Sequence, residues 1–293
     1  MQIARIRSQS AYIEYKKRNA AQAEMIWLKE KKISDTQRNT SFTIRGFSYP
    51  AEKMVDFQVD YLYSDGIEIN WRERVVCPVT GLNNRLRGSV HLIDFELGLR
   101  PYHDIYIAEQ VTPLFTFLKN KFPRLIGSEY LGEDKQPGYI NEKQLRHESA
   151  TALSFEDASL DAYLTFECLE HIPDFKKSFS EAARILRPGG KFMWSVPFAD
   201  MEYENIIRAF ADESGQVHHV LEPEYHGDPV SAEGILCFTH FGWQMLDQVK
   251  NAGFDDVYAF VYRSEIFGYL GGEQILFIAE KYTADRQNIR VLN

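Results

Sequence analysis

The sequence predicts an α/β fold: a mostly parallel sheet with helices on both faces, preceded by a small α+β extension over residues 1–100. Two observations predict it. From about residue 101, apolar strand-like runs alternate with amphipathic helical runs, the pattern of parallel strands joined by right-handed crossovers. Before that point the chain offers one long charged helical stretch followed by segments that alternate like strands. With 44% hydrophobic and 26% charged residues in 293, the chain can bury a sizeable core as one large domain or a main domain with an appendage.

In the extension, residues 9–33 read as a helix with Tyr12, Tyr15, Ala23, Ile26 and Trp27 as a broken apolar face. SFTIRGFSY and DFQVDYLYSDGIEINW read as strands, with Ser64-Asp65-Gly66 a turn. In the main part, residues 104–109 form a first strand, and Thr112 caps a helix over 112–122 with Pro113 at its first position. Residues 124–130 form a second strand, 144–149 a short third and 160–167 a fourth. An amphipathic helix over 173–190 closes at Pro188-Gly189-Gly190, and 191–198 is the fifth strand. After a long polar insertion comes a helix ended by Gly253, then DDVYAFVYRS and EQILFIAEK as a terminal antiparallel pair.

A formal net charge of −9 argues against a nucleic-acid partner held through its phosphates, which needs clustered Lys and Arg. No apolar run is long enough to span a membrane, and the first residues lack the apolar block of a signal peptide. Cys77, Cys168 and Cys237 lie far apart, which fits a reducing cytoplasm and no disulfide framework. Cys77-Pro78 has the look of one zinc-ribbon knuckle, but no second Cys pair completes it, so a buried structural thiol is expected. His218 and His219 with Glu222 do not make three or four converging ligands, and no metal is expected.

Residues 152–198 carry a long ordered motif: Leu153-Ser154-Phe155, Asp161, Leu169-Glu170-His171-Ile172-Pro173-Asp174, Leu186-Arg187-Pro188-Gly189-Gly190 and Val196-Pro197. This run resembles the class I S-adenosylmethionine-dependent methyltransferases, in particular the type 11 group. The resemblance implies a Rossmann-like seven-stranded sheet, S-adenosyl-L-methionine as cofactor and a small-molecule acceptor. A homodimer is the assembly allowed for.

Ligands of open parallel sheets sit beyond the carboxyl ends of the strands. Glu129 ends the second strand and is spaced from Glu109, at the end of the first, as a ribose-binding carboxylate requires. Tyr130 follows it. The family's adenine-binding acid corresponds to Ser149, with Glu148 one residue earlier; either Glu148 substitutes or backbone groups hold the base. Phe166 and Glu167 should lie beside the methionine part. The family's glycine-rich turn after the first strand is missing: Ala108-Glu109-Gln110-Val111-Thr112-Pro113 stands there. Glu109, Gln110 and Thr112 are therefore expected to contribute side chains, with Glu109 facing the methionine ammonium.

Methyl transfer depends on positioning and desolvation, and a hydroxyl acceptor also needs a base. His171, after the fourth strand, and His226, in the insertion, are the candidates, with preference for His226. Its segment is dense in Tyr225, Asp228, His240 and Trp243. The leading reading is methyl transfer to oxygen or nitrogen of a small polar metabolite or sugar. A second is a catalytically inactive binding or regulatory protein of the same fold. A third, a nucleotide-dependent oxidoreductase, is weakened because pyrophosphate needs the backbone donors of the missing turn.

Overall fold

The computed structural model describes residues 1–38, 40–64, 66–227 and 234–283. Asp65 of the expected turn and Asp228 of the insertion lie outside the described residues. The chain forms two compact units. One takes in residues 1–6, 10–100 and 259–276; the other takes in 7–9, 101–258 and the described residues from 277. Residues 259–276, part of the stretch read from the sequence as a terminal pair of the main domain, thus group with the N-terminal unit.

In the first unit, β1 (Gln2–Ile6) pairs antiparallel with β14 (Asp256–Ser264), an edge strand the sequence pattern did not reveal. Helix α1 (Gln9–Thr36) buries Tyr12, Glu30 and Ser34 and leaves Trp27 half exposed. Of the expected apolar face, Tyr12 is buried and Tyr15 and Ile26 are partly buried, while Ala23 and Trp27 are exposed; polar contacts add to the attachment. The Glu30 carboxylate accepts from Arg263 at 3.2 Å and from the Gly271 and Gly272 amides at 3.1 and 3.2 Å. β2 (Phe42–Ser48) and β3 (Lys53–Val59) form a hairpin. Phe57 and Val59 pack there with Trp71 of α2 (Trp71–Arg74). From α3 (Asn84–Leu92), the buried Arg87 guanidinium donates to the carbonyls of Val75, Phe267 and Gly268 and stacks 3.9 Å from the Phe57 ring. Cys77 is a buried thiol that accepts from the Ser48 hydroxyl at 3.2 Å.

The second unit is built on β4 (Ile105–Ile107), α4 (Pro113–Lys121), β5 (Leu125–Gly127), β6 (Leu160–Phe166), α5 (Phe175–Ile185) and β7 (Leu186–Ser195). Strands β7, β6, β4 and β5 are parallel neighbours in that order. β15 (Tyr269–Glu280) pairs antiparallel with β7, and the full sheet is seven-stranded, ordered β1-β14-β15-β7-β6-β4-β5. This is the expected Rossmann-like arrangement, with β1 rather than a strand at 144–149 as its seventh member. Residues 144–149 make bridges instead: His147 with Glu129 and Arg146 with Ile140. The sheet's inner strands are buried nearly throughout, as a two-sided parallel sheet requires.

Thr112 caps α4 as expected, accepting from the Phe115 amide at 3.1 Å. Asp174 caps α5, whose buried Phe175, Ser178, Phe179, Ala182 and Ile185 form one stripe at helical spacing. The helix stops at Ile185, earlier than the sequence suggests, because Pro188-Gly189-Gly190 belongs to β7. There the ladder with β6 skips between Leu186 and Lys191, and Gly189 has φ +86°. A bulge of that kind needs a residue without a Cβ penalty. The insertion after β7 folds as short two-stranded pairs. β8 (Ile206–Ile207) pairs with β13 (Thr239–His240), β9 (Ala209–Ala211) with β10 (Val217–His219), and β11 (Tyr225–His226) with β12 (Ile235–Leu236). Helix α6 (Gln244–Asn251) follows, ended at Gly253 with φ +119°. No helix among the described residues is long and apolar enough to cross a membrane.

Candidate functional site

Because β5, β4 and β6 lie side by side in parallel, with Ile107 opposite both Gly127 and Leu164, their carboxyl ends open at one edge of the sheet. Glu109, Glu129 and Glu167 each follow one of these strands within two residues. The loop after β4 runs without glycine, and none of residues 108–113 takes a positive φ. Its amides are held by a neighbouring carboxylate: Glu129 Oε1 accepts from the Gln110 and Val111 amides at 2.6 and 3.0 Å. The Thr112 hydroxyl donates to Glu109 Oε2, so both strand-end acids are fixed by the same short loop. Gln110 ties that loop to the next one, donating to the Gln144 carbonyl at 2.8 Å and accepting from the Arg146 amide at 2.9 Å. The loop and α4 pack tightly against β5 at Gly127. A Cβ on Gly127 would stand 2.4 Å from the Phe115 ring and 2.6 Å from the Glu109 carbonyl oxygen.

Tyr130 is exposed, its ring centroid 5.4 Å from that of His147. Glu148 is buried and held internally: its carboxylate accepts from Arg146 Nε at 2.8 Å, the Ser154 hydroxyl at 2.5 Å and the Ser154 amide at 2.9 Å. Ser149 shares a 3.0 Å hydroxyl contact with Thr151. At the end of β6, Phe166 is buried, and Glu167 adopts φ +52° as the chain turns into a 3-10 turn at Leu169–His171. A non-glycine residue in the left-handed region is uncommon and characteristic of functional corners.

That turn carries Glu170 and His171 toward the insertion. The Phe238 amide donates to the Glu170 carbonyl at 2.7 Å, and His171 Nδ1 lies 2.8 Å from the Leu236 carbonyl oxygen, which pins β12 to the turn. His226 comes in from β11: its ring centroid is 5.0 Å from that of His171, with the rings crossed at 83°. Both face the Glu170 carboxylate, His171 Nε2 and His226 Nδ1 each 3.7 Å from Oε1. Behind them, Glu224 Oε1 meets His226 Nε2 at 2.9 Å and His240 Nε2 at 3.1 Å. Burial pushes the Glu170 carboxyl well above the usual carboxylate range, while Glu170 and then Glu224 hold the His226 imidazolium up. Burial likewise raises the Cys168 thiol, keeping it protonated.

The two candidate histidines, far apart in sequence, are thus brought together with an acid that sequence reasoning did not single out. Glu170 was visible as the neighbour of His171, but its burial was not. Of the other residues picked out in the insertion, His240 joins the cluster. Trp243 is buried and donates to the Asp200 carbonyl at 2.7 Å, and Tyr225 is exposed. His218 pairs with Asp212 at 2.8 Å on an exposed hairpin.

Comparison with known proteins agrees with the resemblance read from the motif. Residues 127–194, less than a quarter of the chain, match the family model described as methyltransferase domain. The ubiquinone/menaquinone biosynthesis C-methyltransferase UbiE of Brucella anthropi is 44% identical over 54 residues, 18% of this chain and 20% of the relative. A probable S-adenosylmethionine-dependent methyltransferase of Mycolicibacterium smegmatis is 33% identical over 78 residues, 25% of this chain and 30% of the relative. The matches therefore span less than a third of these curated relatives. Among solved structures, the Burkholderia thailandensis 1,6-didemethyltoxoflavin-N1-methyltransferase aligns with a TM-score of 0.40 and 16% identity, over 68% of this chain and 78% of that one.

Proposed function

We propose that this chain transfers a methyl group from S-adenosyl-L-methionine to an oxygen or nitrogen of a small polar metabolite or sugar. The observation that carries the reading is the set of three carboxylates, Glu109, Glu129 and Glu167, at the ends of three adjacent parallel strands, with Phe166 beside them. That donor set fits a ligand carrying a ribose diol and an ammonium, and phosphate-cradling amides are not needed. The loop amides that would face a pyrophosphate are engaged by Glu129, which disfavours a dinucleotide.

In this reading Glu129 accepts the ribose hydroxyls while keeping the loop amides on Oε1, and Tyr130 flanks it. Glu148 and Ser149 border the adenine position. Glu109 and Glu167 face the methionine ammonium, with Gln110 and Thr112 fixing the loop that carries Glu109. Bound S-adenosylmethionine supplies an electrophilic methyl group. The chain contributes in-line positioning, exclusion of water and, for a hydroxyl acceptor, a group to take its proton. His226 and His171 are the candidates for that group, one fixed at the corner after β6 and one brought in by the insertion.

The test is turnover of label from methyl-labelled cofactor into products of a cell extract. His226→Ala or His171→Ala should lower it by about 100-fold or more, the scale of base catalysis, with cofactor affinity intact. Normal turnover in both variants would remove the imidazoles from the acceptor site. Cofactor binding without any labelled product would favour a binding or regulatory protein of this fold.

A further inference from the structure

We propose that Glu170, His171 and His226 form a binding site for a divalent transition-metal ion, with zinc the ion its donor set suits best. Glu170 carries the argument. Its side chain is completely buried, and neither carboxylate oxygen has a hydrogen-bond partner among the described residues. A buried carboxylate in that condition is costly unless it is neutralised or bound to a cation. The groups turned toward it are two imidazole nitrogens, each 3.7 Å from Oε1 and beyond hydrogen-bond length.

The second line is tautomeric. The Leu236 carbonyl, 2.8 Å from His171 Nδ1, can only accept, so Nδ1 carries the proton and Nε2 turns its lone pair toward Glu170. Glu224 does the same for His226: it accepts from Nε2–H at 2.9 Å and leaves Nδ1 facing Glu170, where a bound ion would replace the Nδ1 proton that Glu170 otherwise holds. Two imidazoles whose far N–H groups are locked by a carbonyl and a carboxylate show the arrangement that orients metal-ligating histidines. His240, also on Glu224, holds that carboxylate in place.

The spacing agrees. One ligand atom from each of Glu170, His171 and His226 can be chosen so that all lie within 4.8 Å of one another. A tetrahedral ion with bonds of about 2.0–2.1 Å sets its ligands about 3.3 Å apart, so the 3.7 Å separations need small rotamer adjustments. The 83° crossing of the rings lets the two lone pairs approach one point from different sides. Three protein ligands leave one position open for a water or a substrate oxygen or nitrogen. The inference stands on these residues alone and does not depend on methyl transfer; an imidazole that holds the ion cannot also take an acceptor's proton, so a filled site would give that role to a group other than His171 and His226.

The test uses the full chain, freed of metal by a chelator and titrated with Co²⁺, whose tetrahedral complexes absorb visibly, then with Zn²⁺. One equivalent of Co²⁺ should give the tetrahedral spectrum, and Zn²⁺ should displace it. Glu170→Gln and His226→Gln, each checked by thermal melting, should weaken binding about 100-fold, and Cys237→Ser should leave it unchanged. The second variant keeps the test intact if the first does not fold. Absence of the spectrum in the parent protein would overturn the proposal, with the cluster then sharing a proton. So would equal binding by parent and both variants, or loss confined to Cys237→Ser, which would move the ion to the neighbouring Glu224–His226–Cys237 group.

Discussion

Single residues in both units are set by what surrounds a buried polar group. His91 is an example in the first unit. It is stacked 3.8 Å from the Tyr49 ring, bonded to the Tyr269 hydroxyl at 3.1 Å and nearly inaccessible to solvent. Burial lowers its pKa to about 4, with Asp94 acting weakly in the opposite sense. The unfolded chain takes up a proton near the ordinary value of about 6.5, which the folded His91 refuses. Its contribution to stability is therefore whole above that pH, declines as pH falls toward 4, and levels off below. Melting temperatures of the parent and His91→Gln should converge between pH 7 and pH 4; parallel curves would contradict the assignment. None of this was legible in the sequence, where His91 is one polar residue in a short helix. The reach of Glu129 to the strand end was legible because spacing along parallel strands is regular. The convergence of Glu170, His171 and His226 was not, because it depends on how the insertion folds back.

At the level of elements, the loop after β4 shows how a missing motif is replaced. With no glycine in residues 108–113, its amides turn to Glu129 and its close contact with the sheet falls on Gly127. Gly127→Ala should push the Phe115 ring and the Glu109 carbonyl away, destabilising the protein by about 1–3 kcal/mol, the usual cost of overpacking. Chemical denaturation measures this, and an unchanged midpoint would show that the loop adapts freely. Strand and helix periodicity identified β4, α4, β5, β6 and α5 with small boundary errors. It failed at residues 144–149, which make bridges because Asn141 and Gln110 side chains take up the Lys143, Leu145 and Arg146 amides. It failed again at Pro188-Gly189-Gly190, where turn residues serve a bulge inside β7.

For the whole molecule, the division into two units makes the extension more than an appendage. β1 pairs along Ala259–Arg263 of β14, and Arg87 holds the Phe267 and Gly268 carbonyls. A fragment of residues 101–293 would keep 259–276 without these partners, exposing the otherwise buried Phe260, Tyr262 and Tyr269. It should be poorly soluble and lack a cooperative melt; a soluble fragment melting cooperatively would show two separable domains. The sequence located the change of pattern near residue 100 but could not show that the chain returns to the first unit, since long-range pairing leaves no local period. The central claim, a cofactor pocket at the ends of β4, β5 and β6, is tested most directly by calorimetric titration of the full chain and of Glu129→Ala with S-adenosylmethionine. The account predicts saturable one-to-one binding by the parent, no binding of NAD under the same conditions, and affinity lower by about 1.5–3 kcal/mol in the folded variant, the scale of a charged hydrogen-bond acceptor. Binding of NAD in place of S-adenosylmethionine, or equal affinity in parent and variant, would contradict it.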